Sequence, residues 1–308
     1  MNIIGEIAAA PNWHQGERVM QQLAGADQAL AQRRFSRSLP PSHQHFVAGR
    51  SFIVAGTLNG AGWPWASIAT GPAGFVSCPD PRTLVISTKL TEGDPLAELV
   101  PGAPVGLLAI DFGRRLRIRV NGRVSEVTEK AFSITIDQSY GNCPKYIEPP
   151  EGLRPFADPK PIAHFEPVKG VTEEMRRLIG RSSMFFVASG TGTNSGTAPW
   201  GADASFRGGP VGFVDMGTDG RMTIPDYPGN NYFNTLGNLL IHPRAGMTFA
   251  DFANGDLLLL SGEADVFARE TPSDTTTDVE RFWTMTPRHG RWIRNGLGMV
   301  PGPDDGRA

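Results

Sequence analysis

The chain has 308 residues, 40% of them hydrophobic and 19% charged, and a formal net charge of −2. That is enough apolar material for a large core and enough length for two ordinary domains. Mixed, near-neutral charge leaves no general basic surface for nucleic acid, so any bound anion must be held by a local set of donors and the partner is a small molecule.

The opening "MNIIGEIAAAPNWHQGERVM" lacks a basic segment followed by a long apolar run, and no later stretch reaches the length of a membrane span. The expectation is a soluble, unexported protein. Residues 1–44 predict a helical extension, in which "WHQGERVMQQL" forms an amphipathic helix with Trp13 as packing anchor and Glu17 and Gln21 as an i, i+4 surface pair. "SHQHF" at 42–46 places His43 and His45 on one face of a strand, but no carboxylate or third histidine completes a metal set. Cys78 and Cys143 form no C-x-x-C pair, which excludes a disulfide scaffold and a cysteine zinc site and fits a reducing cytoplasm.

From there the chain alternates short apolar runs such as "RTLVIST", "RIRVNGRVSEV" and "DLLLLSGEADVF" with turns drawn from 37 glycines and 26 prolines. This is the pattern of sheets built from many short strands. It is also duplicated. "PWASIATGPAGFVSCPDPRTLVIST" at 64–88 is echoed at 200–226, and "GLLAIDFGRRLRIRVNGRVSEV" at 106–127 is echoed at 246–267. Ser67 and Ser205 lie 138 residues apart, as do Gly74 and Gly212, and Asp111 and Asp251 lie 140 apart. Each copy reads as strand, turn, strand, "GPxGF" turn, strand, helix and two long strands, which closes most naturally as a small barrel.

The predicted fold is therefore mainly β, with two tandem small barrels facing each other as an intrachain pseudo-dimer; that these are split barrels is what the resemblance described below implies. The first barrel spans 45–148, a Pro-rich linker and short helix span 149–181, the second barrel spans 182–268, and 269–308 is a C-terminal extension. In that extension, "ERFWTMTPRHGRWIRNGLGMV" is a closing strand or helix on which Trp283 and Trp292 pack.

The strings "GPAGFV…PDPRTL", "DQSYGNCPKYI" and "RGGPVGFV…IPDYPGNNYFNTLGNLLIHPRAG" resemble the predicted flavin-nucleotide-binding proteins of the pyridoxamine 5′-phosphate oxidase superfamily, from near residue 13 to about residue 270. The resemblance implies an FMN-binding split barrel and an FMN-dependent oxidoreductase acting on a small substrate, with NAD(P)H or a redox protein as reductant. A non-catalytic flavin- or haem-binding module is the alternative, and the chain is a candidate homodimer. The basic substrate-phosphate clamp of the oxidases themselves is not recognisable.

A phosphate calls for an arginine fork, or for N–H groups at a helix start, with glycine where backbone must come close. "SFRGG" offers Ser205, Phe206, Arg207 and Gly208, and "PDYPGNNYFNT" offers Pro225, Asp226, Tyr227, Gly229, Asn230, Asn231, Asn234 and Thr235. The asparagines are assigned to the phosphate and ribityl side, with Asn238 as a cap or a bridge between loops. The first copy has Ala69 and Thr70 in place of Arg207 and Gly208, and Glu92 and Asp94 where the asparagines stand, with only Lys89 to offset them. One competent phosphate site per chain follows, in the second barrel.

Across the interface, Gln138, Ser139, Asn142 and Lys145 of "DQSYGNCPKYI" are candidates for the flavin's polar edge, with Lys145 stabilising the anionic reduced form. Cys143, followed by a proline, reads first as a packing residue, with a chemical role as the alternative.

Overall fold

The computed structural model describes residues 12–30, 35–90, 92–142, 144–148, 153–155, 165–192, 201–268, 279, 281–297 and 299–301. Cys143 lies outside them. The chain opens with three helices, α1 (Gln15–Leu23), α2 (Asp27–Leu30) and α3 (Pro41–Ala48). At the start of α1 the His14 ring accepts from the Glu17 N–H while the Glu17 carboxyl accepts from the His14 N–H, a reciprocal cap that satisfies two end groups.

Two expectations fail in this segment. Glu17 and Gln21 are not a surface pair; they are 4% and 2% exposed, because that face of α1 packs against another helix. His43 and His45 lie in α3 rather than on a strand, and Pro41 sits in its first turn. A proline there has its φ preset for a helix, and helical residues two apart do not share a face.

The first unit contains β1 (Phe52–Leu58), β2 (Pro64–Thr70), β3 (Val76–Asp80), β4 (Thr83–Ile86), β5 (Pro104–Asp111), β6 (Leu116–Thr128) and β7 (Ala131–Gly141). Short strands β8 (Leu153–Pro155) and β9 (Phe165–Pro167) and helix α4 (Glu173–Arg181) lead to the second unit. This contains β10 (Met184–Gly190), β11 (Ala202–Gly208), β12 (Asp215–Met216), β13 (Met222–Asp226), α5 (Asn234–Ile241), β14 (Arg244–Asp251), β15 (Asp256–Ala268) and β16 (Arg281–Ile293). A last strand, β17 (Met299–Pro301), pairs with β8.

The first sheet runs β2-β1-β5-β6-β7-β4-β3 and the second β11-β10-β14-β15-β16-β13-β12, with β9 added beside β16. Strand for strand the order is the same, so the chain is mainly β and holds two tandem barrel-like units. The second unit does not stop at 268. β16, expected in the C-terminal extension, lies between β15 and β13. Its counterpart β7 starts at Ala131 and β16 at Arg281, 150 residues on, so ten residues inserted ahead of it break the repeat register in the sequence.

Three apolar clusters hold this arrangement. One fills the first unit around Phe132 and Leu107, and one fills the second around Trp283 and Phe249. A third joins the units, with Phe52, Trp65 and Leu108 from the first meeting Phe186, Phe206 and Leu259 from the second. This explains why every residue of β1 and of β10 is buried: one face of each strand covers its own core and the other covers the neighbouring unit. The contact is close at two equivalent glycines. A Cβ on Gly106 would lie 2.5 Å from the Asp203 Cα, and one on Gly246 would lie 2.4 Å from the Pro64 carbonyl oxygen.

Candidate functional site

Where the ends of β6 and β7 meet β11, β13 and the start of α5, the two units enclose a cleft of about 810 Å³ including its open mouth. Fourteen of the sixteen candidate residues line it: Ser205, Phe206, Arg207, Gly208, Pro225, Asp226, Tyr227, Gly229, Asn230, Asn231, Asn234 and Thr235 from the second unit, and Asn142 and Lys145 from the first. Gln138 and Ser139 do not. Gln138 lines a smaller adjoining cavity and donates to the Asn12 carbonyl, and Ser139 is turned to the Ser38 carbonyl at 2.9 Å. On a strand these neighbours face opposite sides, and neither side is the cleft.

The walls are cationic. Arg117, Arg119, Lys145, Arg207 and Arg281 line the cleft against one carboxylate, Asp226, in a chain whose overall charge is negative. Asp226 bridges Arg207 at 2.6 Å and Arg281 at 3.4 Å, holding the two guanidinium groups side by side. Arg117 lies over the Phe206 ring and Arg281 over the Phe233 ring. Arg119 is 6% exposed; it pairs with Asp203 at 3.3 Å and donates to the Asn234 Oδ1 at 2.8 Å. Burial works against its charge, but Asp203 and Tyr140 more than offset that and leave its pKa above the ordinary arginine value. Asn142 turns its Oδ1 to the Arg119 Nε at 3.1 Å.

The backbone around the cleft is strained. Tyr146, Asn231 and Phe233 adopt left-handed φ values of 63°, 59° and 58°, a region that costs a side chain such as Tyr or Phe about 1–3 kcal/mol. Phe233 caps α5 in this conformation and supplies no side-chain hydrogen bond to the first turn, where the helix dipole is positive. Gly208 is needed for a backbone approach, since a Cβ there would lie 2.3 Å from the Tyr146 carbonyl oxygen. Tyr146 in turn stacks on Tyr227, with ring centroids 5.4 Å apart.

The asparagines divide into two groups. Asn230 and Asn231 line the cleft, and Asn230 Oδ1 accepts from the Tyr232 N–H in a local turn. Asn234 reaches the wall but spends its amide on Glu17 and Arg119. Asn238 is buried between His14 and Ser189. Thr235 donates to the Ser205 hydroxyl, which donates to Asp203.

Sequence reasoning missed Arg117, Arg119, Tyr146, Phe213, Phe233 and Arg281. A signal for two of them exists: "RLRIRV" puts Arg117 and Arg119 on one strand face, where the second copy has Leu257 and Leu259, both fully buried. At the mirror position in the first unit, Arg291 stacks on Trp65, hydrogen-bonds the Gly93 carbonyl and is joined by Phe165 against Gly93. Burial lifts Asp94 there to a pKa of about 6. Ala69, the counterpart of Arg207, is part of the first unit's core. The chain's own side chains, Arg291 and Phe165, meet Gly93 there.

Residues 39–156 match the family model described as pyridoxamine 5′-phosphate oxidase, and the second unit repeats the strand order of the first. The first unit is thus similar to the pyridoxamine 5′-phosphate oxidase family, over a match that covers that unit alone. Among solved structures, HupZ of Group A Streptococcus is similar at 12% identity and a TM-score of 0.28, over 33% of this chain and 94% of that one. The haem storage protein HutZ of Vibrio cholerae is similar at 11% identity and a TM-score of 0.27, over 41% of this chain and 96% of that one. No protein of curated function matches the chain. Among the described residues no helix is long and apolar enough to cross a membrane.

Proposed function

We propose that the cleft binds FMN and that the chain is an FMN-dependent oxidoreductase acting on a small substrate. The observation that carries this is the Arg207–Asp226–Arg281 bridge set beside the uncapped start of α5. Together they offer a phosphate paired guanidinium donors and a helix dipole. The excess of cations over Asp226 leaves net positive charge after the internal pairs are counted, which suits a dianion.

The remaining lining fits the rest of the group. Asn230 and Asn231 present amides for a polyol chain, and Tyr146, Tyr227 and Phe206 present flat apolar surface for a ring system. Lys145, from the first unit, supplies positive charge for the ring's polar edge. A bound flavin would supply reversible hydride or electron transfer, drawn from NAD(P)H or a redox protein. The protein's part is to hold the phosphate end, exclude water from the ring face and place charge at one edge. Among the described lining residues there is no His, Cys or Met, and the two tyrosines that could ligate haem iron, Tyr146 and Tyr227, are stacked on each other, so the flavin reading is preferred to a haem one.

Titration of FMN into the purified chain, followed by anaerobic addition of NADH or NADPH, tests the proposal. Saturable binding and bleaching of the flavin band support it; tight binding without reduction by any donor would leave a flavin carrier instead.

A further inference from the structure

We infer that the N-terminal helix α1 is part of the cleft, with Glu17 acting as a positioning residue that fixes Asn234 and, through it, Arg119. The inference rests on the reading of the cleft as a flavin site, and it deepens that reading by bringing in a segment outside both barrels.

His14, Glu17 and Gln21 follow one another at spacings of three and four, so they share one face at and just ahead of α1. All three are at most 4% exposed. Each bonds the segment that forms the cleft's helical wall. Gln21 Nε2 donates to the Tyr232 carbonyl at 3.2 Å, Asn234 Nδ2 donates to Glu17 Oε1 at 2.5 Å, and His14 Nε2 meets Asn238 Oδ1 at 2.8 Å. Because the His14 Nδ1 accepts from the Glu17 N–H, its proton sits on Nε2, which therefore donates to Asn238. The two helices touch at glycines: a Cβ on Gly16 would lie 2.1 Å from the Gly237 carbonyl oxygen. Nothing can slide between them.

The amide of Asn234 has only one workable orientation. Its Oδ1 accepts from Arg119, a group that can only donate, so its Nδ2 must face Glu17. Glu17 thus sets the far end of a bond chain whose near end is a cationic wall of the cleft, contributed by the other unit. The charged and titratable groups facing Glu17 are His14 at the start of its own helix, Arg119 on β6, Tyr140 on β7 and Asp203 on β11, with Asp137 across the adjoining cavity. Burial raises the Glu17 carboxyl well above its ordinary value of 4.5. The brace needs Glu17 only as an acceptor: burial and Asp203 favour its neutral form, while the bonds from the His14 N–H and Asn234 and the charge of Arg119 favour the ionised one.

The test compares Glu17→Gln and Glu17→Ala in the full chain, reading FMN affinity and, without ligand, amide deuterium exchange over residues 229–241. The glutamine keeps an acceptor for Asn234, so its affinity stays within about threefold of the unaltered chain and its exchange over 229–241 is unaltered. The alanine binds about tenfold to a hundredfold more weakly and exchanges faster over 229–241. A folded Glu17→Ala with unaltered affinity and exchange overturns the inference. So does a glutamine variant that binds as weakly and exchanges as fast as the alanine. If Glu17→Ala does not fold, the affinity and exchange of Glu17→Gln decide. If the unaltered chain takes up no FMN, the flavin reading falls, and exchange in the ligand-free variants alone decides the brace.

Discussion

Replacing Arg207 by alanine probes the cleft at the more exposed of the two arginines that Asp226 bridges. The Arg207 side chain is 21% exposed and its partner Asp226 is 6% exposed. The substitution removes one charge-assisted hydrogen bond to the phosphate, worth about 1.5–3 kcal/mol. It also releases Asp226 from its nearer partner, leaving Arg281 at 3.4 Å, and turns a carboxylate toward the anion. Both effects act in the same direction, so FMN should bind roughly tenfold to a hundredfold more weakly. Asp226 keeps one cation and Arg207 is partly solvated, so the fold should lose only about 1 kcal/mol. Quenching of flavin fluorescence on titration reads the affinity, and urea denaturation reads the stability. Adding Asp226→Asn to the Arg207→Ala chain should recover part of the lost affinity, because the repulsive half of the effect is gone. A folded Arg207→Ala chain with unchanged affinity would refute the assignment of the phosphate end.

Other outcomes follow from the same geometry. Gly208→Ala places a Cβ 2.3 Å from the Tyr146 carbonyl oxygen, so it should cost about 1–3 kcal/mol and weaken flavin binding by displacing Tyr146; an unaltered melting temperature and affinity would contradict this. Burial lowers His14 from 6.5 to about 4. The folded pKa lies below the unfolded one, so the neutral ring's contribution is complete above 6.5 and is lost as pH falls toward 4. Roughly 3 kcal/mol is at stake, and His14→Gln should flatten that part of the acid limb in urea denaturation measured across pH; a variant with the same acid limb as the unaltered chain would count against the buried, neutral imidazole.

The duplication was legible because strand-forming positions with close backbone contacts resist change. Gly106 and Gly246 keep their spacing of 140 residues, since each admits a strand of the other unit. β16 escaped because ten extra residues precede it and because its counterpart β7 carries unrelated side chains, so the strand order reveals the equivalence. The second unit's part of the cleft was readable from "SFRGG" and "PDYPGNN", local strings whose residues stay together in the fold. The first unit's contribution was not. Arg117 and Arg119 come from a strand more than eighty residues away, and their meaning depends on which face of β6 meets the second unit.

Gln138 and Ser139 fall outside the cleft lining for the same kind of reason, since a two-residue resemblance fixes neither strand face nor register. Glu17 looked like a surface residue because charge and spacing alone cannot show that a second helix covers it. Its burial becomes visible only through Gly16 and Gly237, which let the two backbones meet.

The central claim is one FMN per chain, held in the second unit's cleft and completed by the first. Loading the full-length protein with excess FMN, removing free flavin and measuring the ratio of flavin to protein by absorbance tests it most directly. The account predicts a ratio of one in the unaltered chain and a marked loss from the Arg207→Ala chain. A ratio near zero or near two, or a Soret band that survives flavin loading, would contradict it.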